Sequence, residues 1–129
     1  MNRVYKLRHF ARWMRKTELT DALLCAAVRE MSQGLIDADL GAGLIKKRIA
    51  VSGRGKSSGF RTLVATNKGG RWLFMFGFSK NERANISDPE KEALQELAQD
   101  YLAKTERELT ELVADGSLQE ICDDHDSKN

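Results

Sequence analysis

The sequence predicts an α+β domain: a small, mostly antiparallel β-sheet with two N-terminal helices before its main strands and further helices after them. Two observations carry that expectation. Helical periodicity occupies both ends of the chain, and between them three β-rich stretches follow one another through short turn-forming segments, which implies antiparallel pairing with helices packed on one face. At 129 residues the chain suits one hydrophobic core and is too short for two. A hydrophobic fraction of 41% and a single proline favour a folded chain in spite of 31% charged residues. Residues 1–122 are expected to form one domain, with 88–122 as a helical extension and 123–129 as a frayed acidic tail.

Taken in order, 4–7 reads as a short first strand. Leu7, Phe10, Ala11 and Met14 then fall at i, i+3, i+4 and i+7, one face of a helix ending near Lys16. Thr20 is positioned to cap a second helix with Asp21 in its first turn and the stripe Leu24, Ala27, Val28, Met31, stopped by Gly34. Residues 37–43, with two acids and two glycines, read as a loop. Residues 44–51 read as a strand with Lys46 and Arg48 on one face and Lys47 on the other. Residues 60–66 read as an interior strand, and Asn67 to Gly70 as a tight turn into a strand over 71–79. Strict alternation there places Trp72, Phe74, Phe76 and Phe78 on one face and Leu73 and Met75 on the other. Asp88 and Pro89 read as the cap and first residue of a helix packing through Leu94, Leu97, Ala98, Tyr101 and Leu102. Thr105 and Glu108 form a capping box for a last helix, ended by Gly116.

The net charge of +2 conceals a division. Residues 1–87 carry 17 Lys/Arg against 6 Asp/Glu, whereas 88–129 carry 4 against 13. A clustered positive field of this kind attracts polyanions. The two cysteines, Cys25 and Cys122, lie far apart without a CxxC or Cys/His spacing, so neither a disulfide framework nor a zinc site is readable, and a reducing cytoplasm fits best. No run is apolar enough to span a bilayer, and the basic N-terminus lacks an apolar signal core. No membrane partner, metal or cofactor is expected.

The segment from Ala50 to Ser57 matches a loose phosphate-loop pattern. That motif needs a helix next, with its N-terminus facing the phosphates, yet Gly59 leads into a strand, which argues against nucleotide hydrolysis. The stronger feature is basic density: Lys46, Lys47, Arg48, Arg54, Lys56, Arg61, Lys80 and Arg83 fall within one stretch of the chain. Attack of a 2′-hydroxyl on its own phosphodiester builds negative charge at the phosphorus, and fixed Arg and Lys donors stabilise that charge without a metal. His9, beside Arg8 and Arg12, reads as a surface residue, as does His125 in the acidic tail. Trp13, Trp72 and the phenylalanines read as packing, with at most one exposed ring left to stack on a base.

The Gly59-Phe-Arg61-Thr-Leu strand start, followed by Phe76-Gly-Phe-Ser-Lys-Asn-Glu-Arg83-Ala-Asn-Ile86, resembles the RelE/HigB superfamily of toxins, closest to its HigB-like branch. The resemblance runs from about Val4 to Leu102. It implies a RelE-like fold and the toxin of a type II toxin-antitoxin system: an endoribonuclease that enters the ribosomal A site, cuts bound mRNA to a cyclic phosphate and a 5′-hydroxyl, and is silenced by a cognate antitoxin. Carried over by position, Arg61 matches the arginine that contacts the scissile phosphate, and Lys46 and Arg48 match the paired basic residues of the preceding strand. These three are the expected catalytic set. Arg54, Lys56, Lys80, Arg83 and Lys47 are expected to bind RNA.

The chain departs from the family pattern at two positions. Asn81 stands where some members have a catalytic arginine, and Ser87 where they have a tyrosine, so the general acid and base stay unassigned. Glu82 reads either as a base or, more simply, as an ion-pair partner. These departures keep open a non-catalytic toxin acting on a protein such as DNA gyrase, and a plain nucleic-acid-binding module.

Overall fold

The computed structural model describes residues 2–51 and 59–122. Ten elements follow in the order β1 (Arg3–Leu7), α1 (Arg8–Met14), α2 (Asp21–Ser32), β2 (Ala38–Asp39), β3 (Leu44–Ile49), β4 (Phe60–Thr66), β5 (Arg71–Ser79), α3 (Asp88–Leu102), α4 (Glu106–Ala114) and β6 (Leu118–Ile121). The strands form one sheet in the order β2-β3-β4-β5-β1-β6. All neighbouring pairs are antiparallel except β1 with β5, which run parallel. The fold is the expected α+β class.

The local chemistry explains most boundaries. The Thr20 hydroxyl accepts the Leu23 N–H and starts α2. The Asn67 side chain accepts the Gly69 and Arg71 N–H groups, closing the β4–β5 turn with Lys68 at positive φ. Thr105 and Glu108 cap α4 reciprocally. The cap of α3 lies one residue earlier than expected: Ser87, with Glu90, forms the capping box, and Asp88 is already the first helical residue. Ser and Glu three apart satisfy two otherwise orphaned N–H groups, which Asp88 with Lys91 would not.

Three further expectations are corrected. Residues 38–39, read as loop, pair with β3 as a two-residue edge strand. Residues 118–121, for which no strand was read, pair with β1 as β6. Helices cover both faces of the sheet. Phe10 of α1 meets Phe74, while Gln95 and Gln99 of α3 bond to the carbonyls of Leu40 and Ala42 beside β3. Arg71, from the face opposite Phe74, donates to the carbonyls of Tyr101, Leu102 and Lys104.

The decisive local feature is a bulge. Leu63 pairs with Phe76 but the next residue, Val64, pairs with Phe74, so β5 carries one extra residue, Met75. Neighbouring residues of β4 point to opposite faces, hence Phe74 and Phe76 do too. The expected single row of four aromatics is therefore split. Trp72 and Phe74 face the α1/α2 core, whereas Phe76 and Phe78 lie on the face that carries Lys46, Arg48 and Arg61.

A disulfide joins Cys25 of α2 to Cys122, just beyond β6, with the Cα atoms 5.6 Å apart. The pairing is not readable from the spacing of the two cysteines, because it depends on the topology, which returns the C-terminal strand to the sheet edge beside α2. Sequence spacing carries no trace of such a closure.

Candidate nucleic-acid interface

Alternation within β3 and the register with β4 and β5 build one surface. Lys46 lies opposite Leu63 and Phe76, and Arg48 opposite Arg61 and Phe78. Partners in register share a face, with strand axes about 4.8 Å apart. Lys46, Arg48 and Arg61 are thus brought together over two adjacent strands, beside two aromatic rings. α3 and α4 cover the other part of this face, over Leu44, Ala65, Leu73 and Tyr5, all buried. The basic part lies beyond the N-terminal end of α3.

The electrostatics of this patch are unbalanced. Arg48 and Arg61 form a cross-strand pair of like charge, an arrangement that destabilises a sheet. Among the described residues neither guanidinium has an acidic partner. The Arg61 Nη1 atom is shut off from solvent and has no hydrogen-bond partner among the described residues. A buried guanidinium nitrogen without an acceptor is costly, and the group that would satisfy it is an anion with several oxygens in reach. Among the described residues Lys46 has only a long 3.4 Å contact to the Asn85 side chain, leaving its ammonium available. The backbone N–H of Arg48 is held by the Asp37 carboxylate at 2.5 Å, which fixes the strand and leaves the side chain exposed.

The other expected binding residues separate into three groups. Lys47 faces the helices: it is buried, pairs with Glu30 at 2.7 Å and donates to the Leu35 carbonyl at 2.9 Å. It joins α2 to β3 and is not brought to the basic surface. Arg83 lies at the surface but is committed, with two bonds to Glu90 and its guanidinium 5.6 Å over the Phe78 ring. That ion pair holds the Glu90 carboxyl down to about 2 and raises the Arg83 pKa. Lys80 is exposed at the end of β5 without an acidic partner among the described residues. Arg54 and Lys56 lie outside the described residues, as does His125.

Of the two departures, Ser87 caps α3 through its side chain, whereas Asn81 is held by its backbone N–H, which donates to the Ser79 hydroxyl as that of any residue would. Glu82 accepts the Ser79 N–H at 3.2 Å, a turn contact, and forms no ion pair among the described residues.

His9 is exposed, as expected, and it stands at the margin of the site. Its ring is parallel to that of Phe76, within 7°, with centroids 6.1 Å apart. The two line a cleft of about 350 Å³ together with Arg12, Trp13, Gly77 and Arg83. No sequence period reveals this, since the bulge that turns Phe76 toward the open face is a backbone event. No group of His, Cys, Asp and Glu among the described residues is arranged to hold a metal ion. No described helix is long and apolar enough to cross a membrane.

The family model for the RelE toxin of the RelE/RelB toxin-antitoxin system matches residues 2–121. A comparison with curated proteins returns no match.

Proposed function

Since the chain belongs to the RelE family and is the toxin of a toxin-antitoxin pair, we propose that its basic sheet face binds and cleaves messenger RNA on the ribosome, in the cytoplasm, where translation takes place. The observation that carries this reading is the unpartnered, buried Arg61 Nη1 beside the like-charged Arg48. A scissile phosphate supplies the missing acceptor and relieves the repulsion.

In the reaction, the 2′-oxygen forms a bond to phosphorus as its proton is lost, and the bond to the 5′-oxygen breaks as that oxygen gains a proton. The products are a 2′,3′-cyclic phosphate and a 5′-hydroxyl. The phosphorane carries more negative charge than the diester, so Arg61, Arg48 and Lys46, fixed on strands, favour the transition state over the ground state. Arg83, held by Glu90 over Phe78, shapes the border of the site. Lys80 adds charge for the flanking backbone.

The family carries an antitoxin partner. An acidic or amphipathic antitoxin segment suits the positive face electrostatically.

The test is induced expression of wild type and Arg61→Ala in a bacterium lacking the antitoxin, with growth curves and primer-extension mapping of mRNA ends. Arrest with new ends inside translated frames, both lost in the variant, supports cleavage by this site. Arrest with intact mRNA transfers the reading to a protein target such as gyrase. No arrest leaves a nucleic-acid-binding module.

A further inference from the structure

We propose that the cleft between α1 and the unpaired half of β5 is a nucleobase subsite, which takes the base of a nucleotide next to the phosphate at Arg61. The inference rests on the phosphate reading of Arg61 and extends it to single-stranded RNA with an unstacked base.

The topology creates the opening. β1 pairs with β5 only as far as Phe74, so the edge from Phe76 to Phe78 has no strand beside it there, and α1 flanks it instead. Gly77 is required at that edge. A Cβ there would fall 2.3 Å from the Trp13 ring, so the indole packs directly on the backbone and forms the inner wall. Phe10 and Phe60 hold Trp13 edge-on, at 5.3 and 5.7 Å between centroids. The wall is therefore rigid.

The lining then selects the ligand. His9 and Phe76 present parallel rings, with Phe78 next to Phe76 at 6.3 Å. Phe76 is only half-buried, a large apolar ring left open on a face that otherwise carries cations. Arg12 and Lys16 follow His9 along the chain at the cleft, and neither has an acidic partner among the described residues. The acid of the cleft, Glu82, is engaged by the Ser79 N–H. Flat aromatic faces ringed by free cations match a nucleotide, whose base stacks while its phosphates meet the charges. An apolar ligand would leave those cations without partners. Phe78 sits in register with Arg61, so cleft and phosphate site are one step of the sheet apart, within the span of a single nucleotide.

The test uses the full chain and fluorescence anisotropy with a labelled four-nucleotide RNA, 2′-O-methylated throughout so that it cannot be cut. It is compared with versions carrying an abasic residue at each position in turn. One abasic position should weaken binding by about 10-fold, the scale of a single base–aromatic stack. In Phe76→Ala and His9→Ala the intact and abasic RNAs should then bind alike. Phe76→Leu guards against misfolding, since it keeps apolar volume and removes the ring. Arg61→Ala should weaken intact and abasic RNAs by the same factor. If every abasic RNA binds wild type as tightly as the intact one, the base subsite is overturned and the phosphate site stands. If Arg61→Ala changes nothing while the abasic effect persists, the phosphate reading fails and the base subsite stands. If no RNA binds, both fall.

Discussion

Replacing Arg61 by Met should make the free protein more stable while abolishing its toxicity. In the free chain Arg61 Nη1 is buried without an acceptor among the described residues, and the side chain faces Arg48 across the strands. An unsatisfied buried donor costs about 1–3 kcal/mol, and a like-charge cross-strand neighbour adds up to about 1 kcal/mol. Met keeps most of the aliphatic stem and its packing, so little burial is lost in exchange. The net gain should be about 1–3 kcal/mol, which for a domain of this size raises Tm by about 4 °C per kcal/mol. Urea unfolding of both proteins, with and without inorganic phosphate, measures this directly. Phosphate at about 100 times its Kd should stabilise wild type by about 2.7 kcal/mol through linkage and should act far less on the variant. A variant less stable than wild type, together with an undiminished phosphate effect, would refute the claim that Arg61 stores an unmet bond for an anion.

Three other perturbations separate structural from functional charge. Glu106 joins α4 to the sheet by bonds to Arg71 at 2.5 Å and Arg3 at 3.0 Å, which lower its pKa, chiefly through the Arg71 bond. A depressed carboxyl stabilises the fold above its ordinary range near 4.5 and loses that contribution as pH falls through the folded value. Glu106→Gln should therefore cost up to about 1 kcal/mol at pH 7 and progressively less in acid, as read by urea midpoints across pH. Lys47→Met should leave growth arrest intact while altering stability, because Lys47 pairs with Glu30 on the helix-covered face; Arg48→Met should abolish growth arrest and, by removing the like-charge neighbour of Arg61, raise stability by up to about 1 kcal/mol, as seen by toxicity and melting assays. Cys25→Ser, or reduction by dithiothreitol, should lower stability by about 2–4 kcal/mol, since the bond closes a span of 97 residues. Alkylation of cell extracts followed by mass spectrometry reads whether a reducing cytoplasm keeps the pair open.

The fold was legible where local chemistry decides it. Thr20, Asn67 and the Thr105/Glu108 box each act within four residues of themselves, and the structure keeps all three. The elements that were missed depend on partners distant in sequence. β6 shows buried Leu118 and Ile121 around exposed Gln119 and Glu120, which is no alternation, and only its pairing with β1 makes it a strand. The parallel entry of β1 between β5 and β6 follows from no turn, and the Cys25–Cys122 bond exists only because of that entry.

The basic site was legible in part for the same reason. Lys46, Arg48 and Arg61 share a face by simple alternation and register, and the exclusion of Lys47 from that face follows from the same parity. The aromatic border was not, because one extra residue at Met75 reverses the parity of everything after it. Without the bulge, Phe76 and Phe78 would point into the core under α1 and the basic face would have no aromatic border. With it, a strand that packs the core through Phe74 also offers Phe76 to the open face. Shortening β5 by deletion of Met75 should therefore weaken RNA binding and lower stability together, whereas Phe76→Leu should weaken binding by about 10-fold with stability kept; equal loss of stability in both would show that Phe76 belongs to the core and not to the site.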